Sequence, residues 1–198
     1  MKKWSCILLS LALTLACCAA FAEETDGDSL TRLGLEAGDA GDYAKTREYW
    51  EQAAEKGSAR AVADLGYLYE NGYGVEKDEA KAMEYYRRAA DLGFAGALTE
   101  MAYMYSYGLG VEQDYEKAWE YLVKAVDDES TAADACFMLG QLYMGGAGVE
   151  QNDEKAADFF LKAIELGSAE ARESFDGLVK DGKIPEDYTA KEIDLSGK

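Results

Sequence analysis

The chain has 198 residues, with 39 acidic side chains against 20 basic ones, a net charge of −19 and no histidine. The missing histidine excludes imidazole acid–base catalysis, Ser-His-Asp and Cys-His nucleophiles and histidine-bound metal sites. So acidic a surface repels phosphate backbones and disfavours nucleic acid, while a solvated surface accounts for most of the charge and a basic partner is a weaker inference from it.

In chain order, residues 1–22 read as a secretory signal peptide. Lys2 and Lys3 precede an apolar run from Ile7 to Ala16, and Ala20-Phe21-Ala22 is a small-x-small cleavage site. Nothing after Ala22 approaches the roughly 20 apolar residues of a spanning helix. The expectation is an exported protein, periplasmic or secreted. Removing Lys2 and Lys3 from a net −19 leaves −21 for residues 23–198. A competing reading is a lipid anchor at Cys17 or Cys18, although both depart from the usual lipoprotein pattern and the Ala-Phe-Ala site is better formed. Cleavage after Ala22 leaves Cys136 alone, without a disulfide partner and on an apolar helical face.

Beyond residue 23 the chain repeats itself. Gly74-Val75-Glu76-Lys77-Asp78 returns as Gly110-Val111-Glu112-Gln113-Asp114, 36 residues on, and as Gly148-Val149-Glu150-Gln151-Asn152 after 38 more. A period of this size marks an array of stacked units, each too small to bury its apolar face alone. The leading unit, residues 23–57, is atypical, with Gly34, Ala37 and Gly41-Asp42-Tyr43 before a second helix carrying Tyr49-Trp50 and Ala53-Ala54. Units 58–93, 94–130 and 131–167 each read as helix, glycine-rich turn, helix. In the first of them Ala61, Val62, Leu65, Leu68 and Tyr69 share one face. Asp78, Asp114 and Asn152 fall where N-caps are needed. Gly66, Ala102 and Gly140 form a small-residue column where helices approach closely, and Ala89, Ala125 and Ala163 another. Tyr69, Tyr105 and Tyr143, with Tyr85, Tyr121 and Phe159, fill the spaces between. Residues 168–182 supply a closing helix, and residues 183–198 a polar tail expected to fray.

These motifs resemble the Sel-1-like repeat family of tetratricopeptide-like proteins: Ala-x-x-x-Leu-Gly-x-x-Tyr, Gly-x-Gly-Val-x-x-Asp, then Lys-Ala-x-x-Tyr-Tyr-x-x-Ala-Ala-x-x-Gly. Residues 61–93 match at nearly every position. In the later units Met101-Ala102 replaces Leu-Gly, Asn152 replaces the Asp, and Asp127–Ser130 replaces the closing Gly with two extra residues. The leading unit is looser and nearer a tetratricopeptide repeat. The resemblance implies an all-α, right-handed solenoid serving as an adaptor or scaffold for another protein or an extended peptide.

In such solenoids the first helix of each pair lines the concave side. Residues there that the core leaves free are Arg60, Ala63, Tyr67, Glu70 and Asn71, then Thr99, Tyr103, Ser106 and Tyr107, then Phe137, Gln141 and Met144. This column reads as aromatic and polar with few charges, a composition that suits the centre of an interface. Tyr67 and Tyr103 admit two readings, ligand contact or packing between helices, while Phe137 and Met144 read as partly core.

No cofactor or metal is implied. Some relatives of the family carry an assigned β-lactamase or penicillin-binding activity, which makes a β-lactam-directed function the enzymatic alternative. None of the nine serines here has a lysine three positions on, as Ser-x-x-Lys would require. A passive lipid-anchored envelope component is a further alternative.

Overall fold

A computed structural model describes residues 26–191 and 193. The signal segment and the cysteines Cys17 and Cys18 lie outside the described residues. Among those described, the chain forms nine α-helices and no strand. Four pairs follow one another: α1 (Gly27–Asp39) with α2 (Tyr43–Glu55), α3 (Ala59–Asn71) with α4 (Glu79–Asp91), α5 (Gly96–Tyr107) with α6 (Tyr115–Ala125), and α7 (Ala132–Gly145) with α8 (Asp153–Glu165). The helix α9 (Ala169–Lys180) closes the series. Each helix packs on the next, more extensively within a pair than between pairs, which makes a helical-repeat solenoid.

The repeated residues explain the repeated geometry. The carboxylates of Asp78 and Asp114 and the amide oxygen of Asn152 accept hydrogen bonds from the backbone N–H three residues on, at 2.9, 3.0 and 2.9 Å. That satisfies one orphan donor at the start of each second helix. In the turn before each cap, Gly74, Gly110 and Gly148 hold positive φ of 67°, 65° and 70°. They also lie against the preceding pair: a Cβ on Gly110 would fall 2.3 Å from the Glu79 carbonyl carbon, and one on Gly148 2.6 Å from the Tyr115 Cβ. The second glycine of each Gly-x-Gly is thus fixed twice, by backbone conformation and by the stacking of one unit on the last.

Within a pair, small faces large. A Cβ on Gly140 would lie 2.5 Å from the Phe160 ring, one on Gly34 2.2 Å from the Trp50 indole, and one on Gly66 3.0 Å from the Tyr86 ring. In the third pair the aromatic position is Leu122, and there the small residue is Ala102; both are fully buried. On the other edge of each pair two rings stack: Tyr69 on Tyr85 at 5.5 Å, Tyr105 on Tyr121 at 5.8 Å, Tyr143 on Phe159 at 5.6 Å. Lys81, Lys117 and Lys155 place their ammonium groups over Tyr69, Tyr105 and Tyr143, which explains the Lys-Ala signature. The first pair has Ala37 in place of the tyrosine, and its helices are joined by only the three residues 40–42.

Two regions depart from the period. The connection 126–131 between the third and fourth pairs is six residues long, and Thr131 Oγ1 anchors it by donating to the Ala125 carbonyl at 2.6 Å. The tail does not fray as expected over residues 184–191. Ile184 is buried, Tyr188 Oη donates to the buried Asp158 at 2.8 Å, and the Lys191 N–H donates to the same oxygen at 2.9 Å. Those contacts fold the tail back over α8. No helix among the described residues is long and apolar enough to cross a membrane.

Candidate peptide-binding groove

A hollow opens where α5 and α7, the first helices of the third and fourth pairs, run side by side. Its volume is about 460 Å³, within the range of sites that hold a drug-sized ligand. Thr99, Tyr103 and Tyr107 of α5 form one wall and Phe137 and Gln141 of α7 the other, with Tyr115 and Leu122 of α6 behind. Tyr103 is 41% exposed and Tyr107 61%, and their rings meet at 4.6 Å in a tilted pair. Phe137 is half-buried against Phe160. Tyr115 is held by Gln113, whose amide donates both to the Tyr115 hydroxyl at 2.9 Å and to the Ser106 carbonyl at 2.8 Å.

Not every residue expected on this face belongs to it. Ala63 is buried and contacts the core instead. Ser106 lines the groove floor but is only 8% exposed. Its hydroxyl donates to the Ala102 carbonyl one turn back, so its polar group is consumed inside the helix. Arg60 pairs with Asp64 at 3.2 Å and covers Phe94. Asn71 donates to the Tyr67 carbonyl, and the Met144 carbonyl accepts from Gln151; neither side chain borders the groove.

Tyr67 is 48% exposed but lies in a second hollow, of about 230 Å³, between α1, α2 and α3. There it leans on Tyr73, which stacks on Tyr43. The continuous column expected from the sequence is therefore divided between two hollows, with Tyr67 in one and Tyr103 in the other.

The expectation of few charges is also corrected. Glu100 and Asp134 both border the groove, and Glu70 of α3, whose carboxylate accepts from the buried Tyr86 hydroxyl at 2.7 Å, acts on Glu100 from outside it. Glu100 keeps solvent on its open side. The surrounding walls, then the Glu70 and Asp134 carboxylates, nevertheless push its pKa up to about 7. Glu100 occupies the place of Asp64 and Met138 in the neighbouring units, a position assigned neither to core nor to surface, and three unlike residues there carry no repeat signal. Asp134 stands in the place of Arg60. Elsewhere, burial pushes the Cys136 thiol up to about 11. Among the described residues no three cysteine or carboxylate side chains converge closely enough to hold a metal ion.

Stacked helix pairs with an open groove between first helices define a helical-repeat scaffold. The chain belongs to the Sel1 repeat family, whose repeat matches residues 27–58, 59–94, 95–129 and 133–168, the leading unit included. Proteins of this family are generally protein-interaction scaffolds and typically non-catalytic. Among solved structures, a Sel1 repeat protein from Oxalobacter formigenes is 24% identical with a TM-score of 0.71, over 80% of this chain and 66% of that one. Protein c5321, a protective antigen present in uropathogenic Escherichia coli strains and displaying this fold, is 29% identical with a TM-score of 0.67, over 81% and 35% of the two chains. A putative Sel1 repeat protein from Klebsiella pneumoniae is 24% identical with a TM-score of 0.64, over 81% and 78%. The chain thus spans under two thirds of the first of these relatives and about a third of the second. No protein of curated description matches it.

Proposed function

We propose that this chain is an exported, non-catalytic adaptor that holds another protein by an extended segment, and that the groove between α5 and α7 is its recognition surface. The observation that carries the reading is a pair of exposed tyrosines, Tyr103 and Tyr107, facing a half-buried Phe137 across an unfilled hollow. Rings that packing does not require, set beside water, are the side chains that supply large contact area at low entropic cost. The amino-terminal segment supports export to the periplasm or beyond, with release after Ala22 or a lipid on Cys17 or Cys18 as the two mature forms. The mass of the mature amino terminus separates those forms.

The binding test compares capture from the cell envelope by the wild type and by a Tyr103→Ala/Tyr107→Ala variant with native helicity. A protein retained by the first and lost by the second supports the adaptor reading. Equal retention by both refutes the groove.

A further inference from the structure

We infer that the groove selects a basic segment: a lysine or arginine of an extended partner chain inserts between Glu100 and Asp134, while its apolar neighbours lie on Tyr103, Tyr107 and Phe137. This inference rests on the adaptor reading and adds the chemistry of the ligand.

Three observations converge on it. First, no lysine or arginine borders the groove, and among the described residues neither the Glu100 nor the Asp134 carboxylate has a hydrogen bond or ion pair. On the flanking helices α3 and α6, Arg60 is engaged with Asp64, and Lys117 with Asp114 over the Tyr105 ring. Second, the carboxylates act on one another. Glu70 from α3 and Asp134 from α7 both oppose ionisation of Glu100, and the α4 hydroxyl Tyr86 is turned onto Glu70 rather than Glu100. Asp64 of α3 is held by Arg60, and the polar side chain that α6 brings to the groove is Tyr115, beside the apolar Leu122. A cation inserted there would relieve a repulsion that the folded chain leaves uncompensated. Third, the walls beside the carboxylates are aromatic faces, which accept both a cation and apolar side chains.

The carboxylates do not converge into an ion cage, which favours an organic cation over a metal ion. A second copy of this chain, at −19 in full and −21 over residues 23–198, is repelled by the same field. Binding of a cation also stabilises ionised Glu100, so a proton leaves on binding and affinity rises with pH.

The test uses a positional-scanning library of fluorescent nonapeptides against the folded wild type. It is repeated with Glu100→Gln, with Glu100→Gln/Asp134→Asn and with Tyr103→Ala/Tyr107→Ala. The wild type should prefer lysine or arginine flanked by leucine or an aromatic residue. Glu100→Gln should weaken those peptides by about tenfold while leaving their lysine-to-glutamine versions unchanged. Between pH 6 and pH 8 the wild-type affinity should rise by up to about tenfold, as Glu100 passes from about a tenth to about nine-tenths ionised, and Glu100→Gln should lose that rise. If the wild type and the double carboxylate variant rank the peptides identically, the basic-segment inference is overturned and the adaptor reading stands. If the wild type retains no peptide better than the double tyrosine variant does, the adaptor reading fails and this inference with it.

Discussion

Replacing Gly140 by alanine tests whether the pairing of small with large residues sets the helix separation. The new Cβ would lie 2.5 and 2.6 Å from two carbons of the Phe160 ring, and that ring is completely buried, so it has no free direction in which to move. Overpacking of this kind costs about 1–3 kcal/mol. Alanine recovers about 1 kcal/mol through its better helix propensity, so the net destabilisation should be about 0–2 kcal/mol. Phe160→Leu alone should also destabilise, because it leaves an unfilled volume. The third pair already combines an alanine with a leucine, Ala102 and Leu122, at these two positions. In the Phe160→Leu background the same Gly140→Ala change should therefore turn neutral or stabilising by up to about 1 kcal/mol. Guanidinium unfolding followed by circular dichroism measures all four proteins. An identical effect of Gly140→Ala in both backgrounds would refute the contact between these residues as its cause.

Glu100→Gln carries a stability prediction of definite sign. A carboxyl whose pKa is raised from 4.5 to about 7 in the folded protein keeps its proton on folding, while the unfolded chain has already lost it. The wild type should therefore lose stability as pH rises from about 4.5 to 7, and the glutamine variant should not. Discounted for the solvent on its open side, the variant's advantage at pH 8 is about 1 kcal/mol; parallel melting curves at pH 4.5 and 8 would contradict this. Tyr188→Phe removes the hydroxyl that donates to Asp158, which should cost about 1 kcal/mol and speed amide exchange at Lys191, an amide that holds the same oxygen. Unchanged exchange there would show that the tail is anchored by Ile184 instead. Cys136, buried and with its thiol pKa pushed up to about 11, should resist a disulfide reagent at pH 8 until the array unfolds; prompt labelling of the native protein would place it at the surface.

Much of this architecture is legible in local sequence because a repeat states each contact several times. The Gly-x-Gly-Val turn, the Asp or Asn three residues before a conserved-in-register Lys, and the small-residue column Gly66, Ala102 and Gly140 act within a few residues or across one helix pair. Three copies remove the ambiguity of one. The candidate site was less legible. Helical spacing places Tyr67 and Tyr103 alike on the first-helix face, yet it carries no information on which junctions between pairs stay open. Tyr67 leans on Tyr73 in the hollow between α1, α2 and α3, while Tyr103 pairs with Tyr107 in the hollow between α5 and α7. Glu100 escaped because its neighbours in register, Asp64 and Met138, differ in character, so the column shows no pattern. The tail escaped because the Tyr188–Asp158 contact spans 30 residues and belongs to no repeat.

The six-residue connection 126–131 has a consequence for what a ligand can do. Other connections between pairs take three or four residues. In an array of strictly equal steps every junction offers the same hollow, and an extended segment could slide from one register to the next at no cost. Here the longer step, together with Gln141 where the two preceding units place a tyrosine, makes the junction of the third and fourth pairs unlike the others. For the extended ligand proposed above, that irregular junction would give a one-dimensional track a defined stopping point.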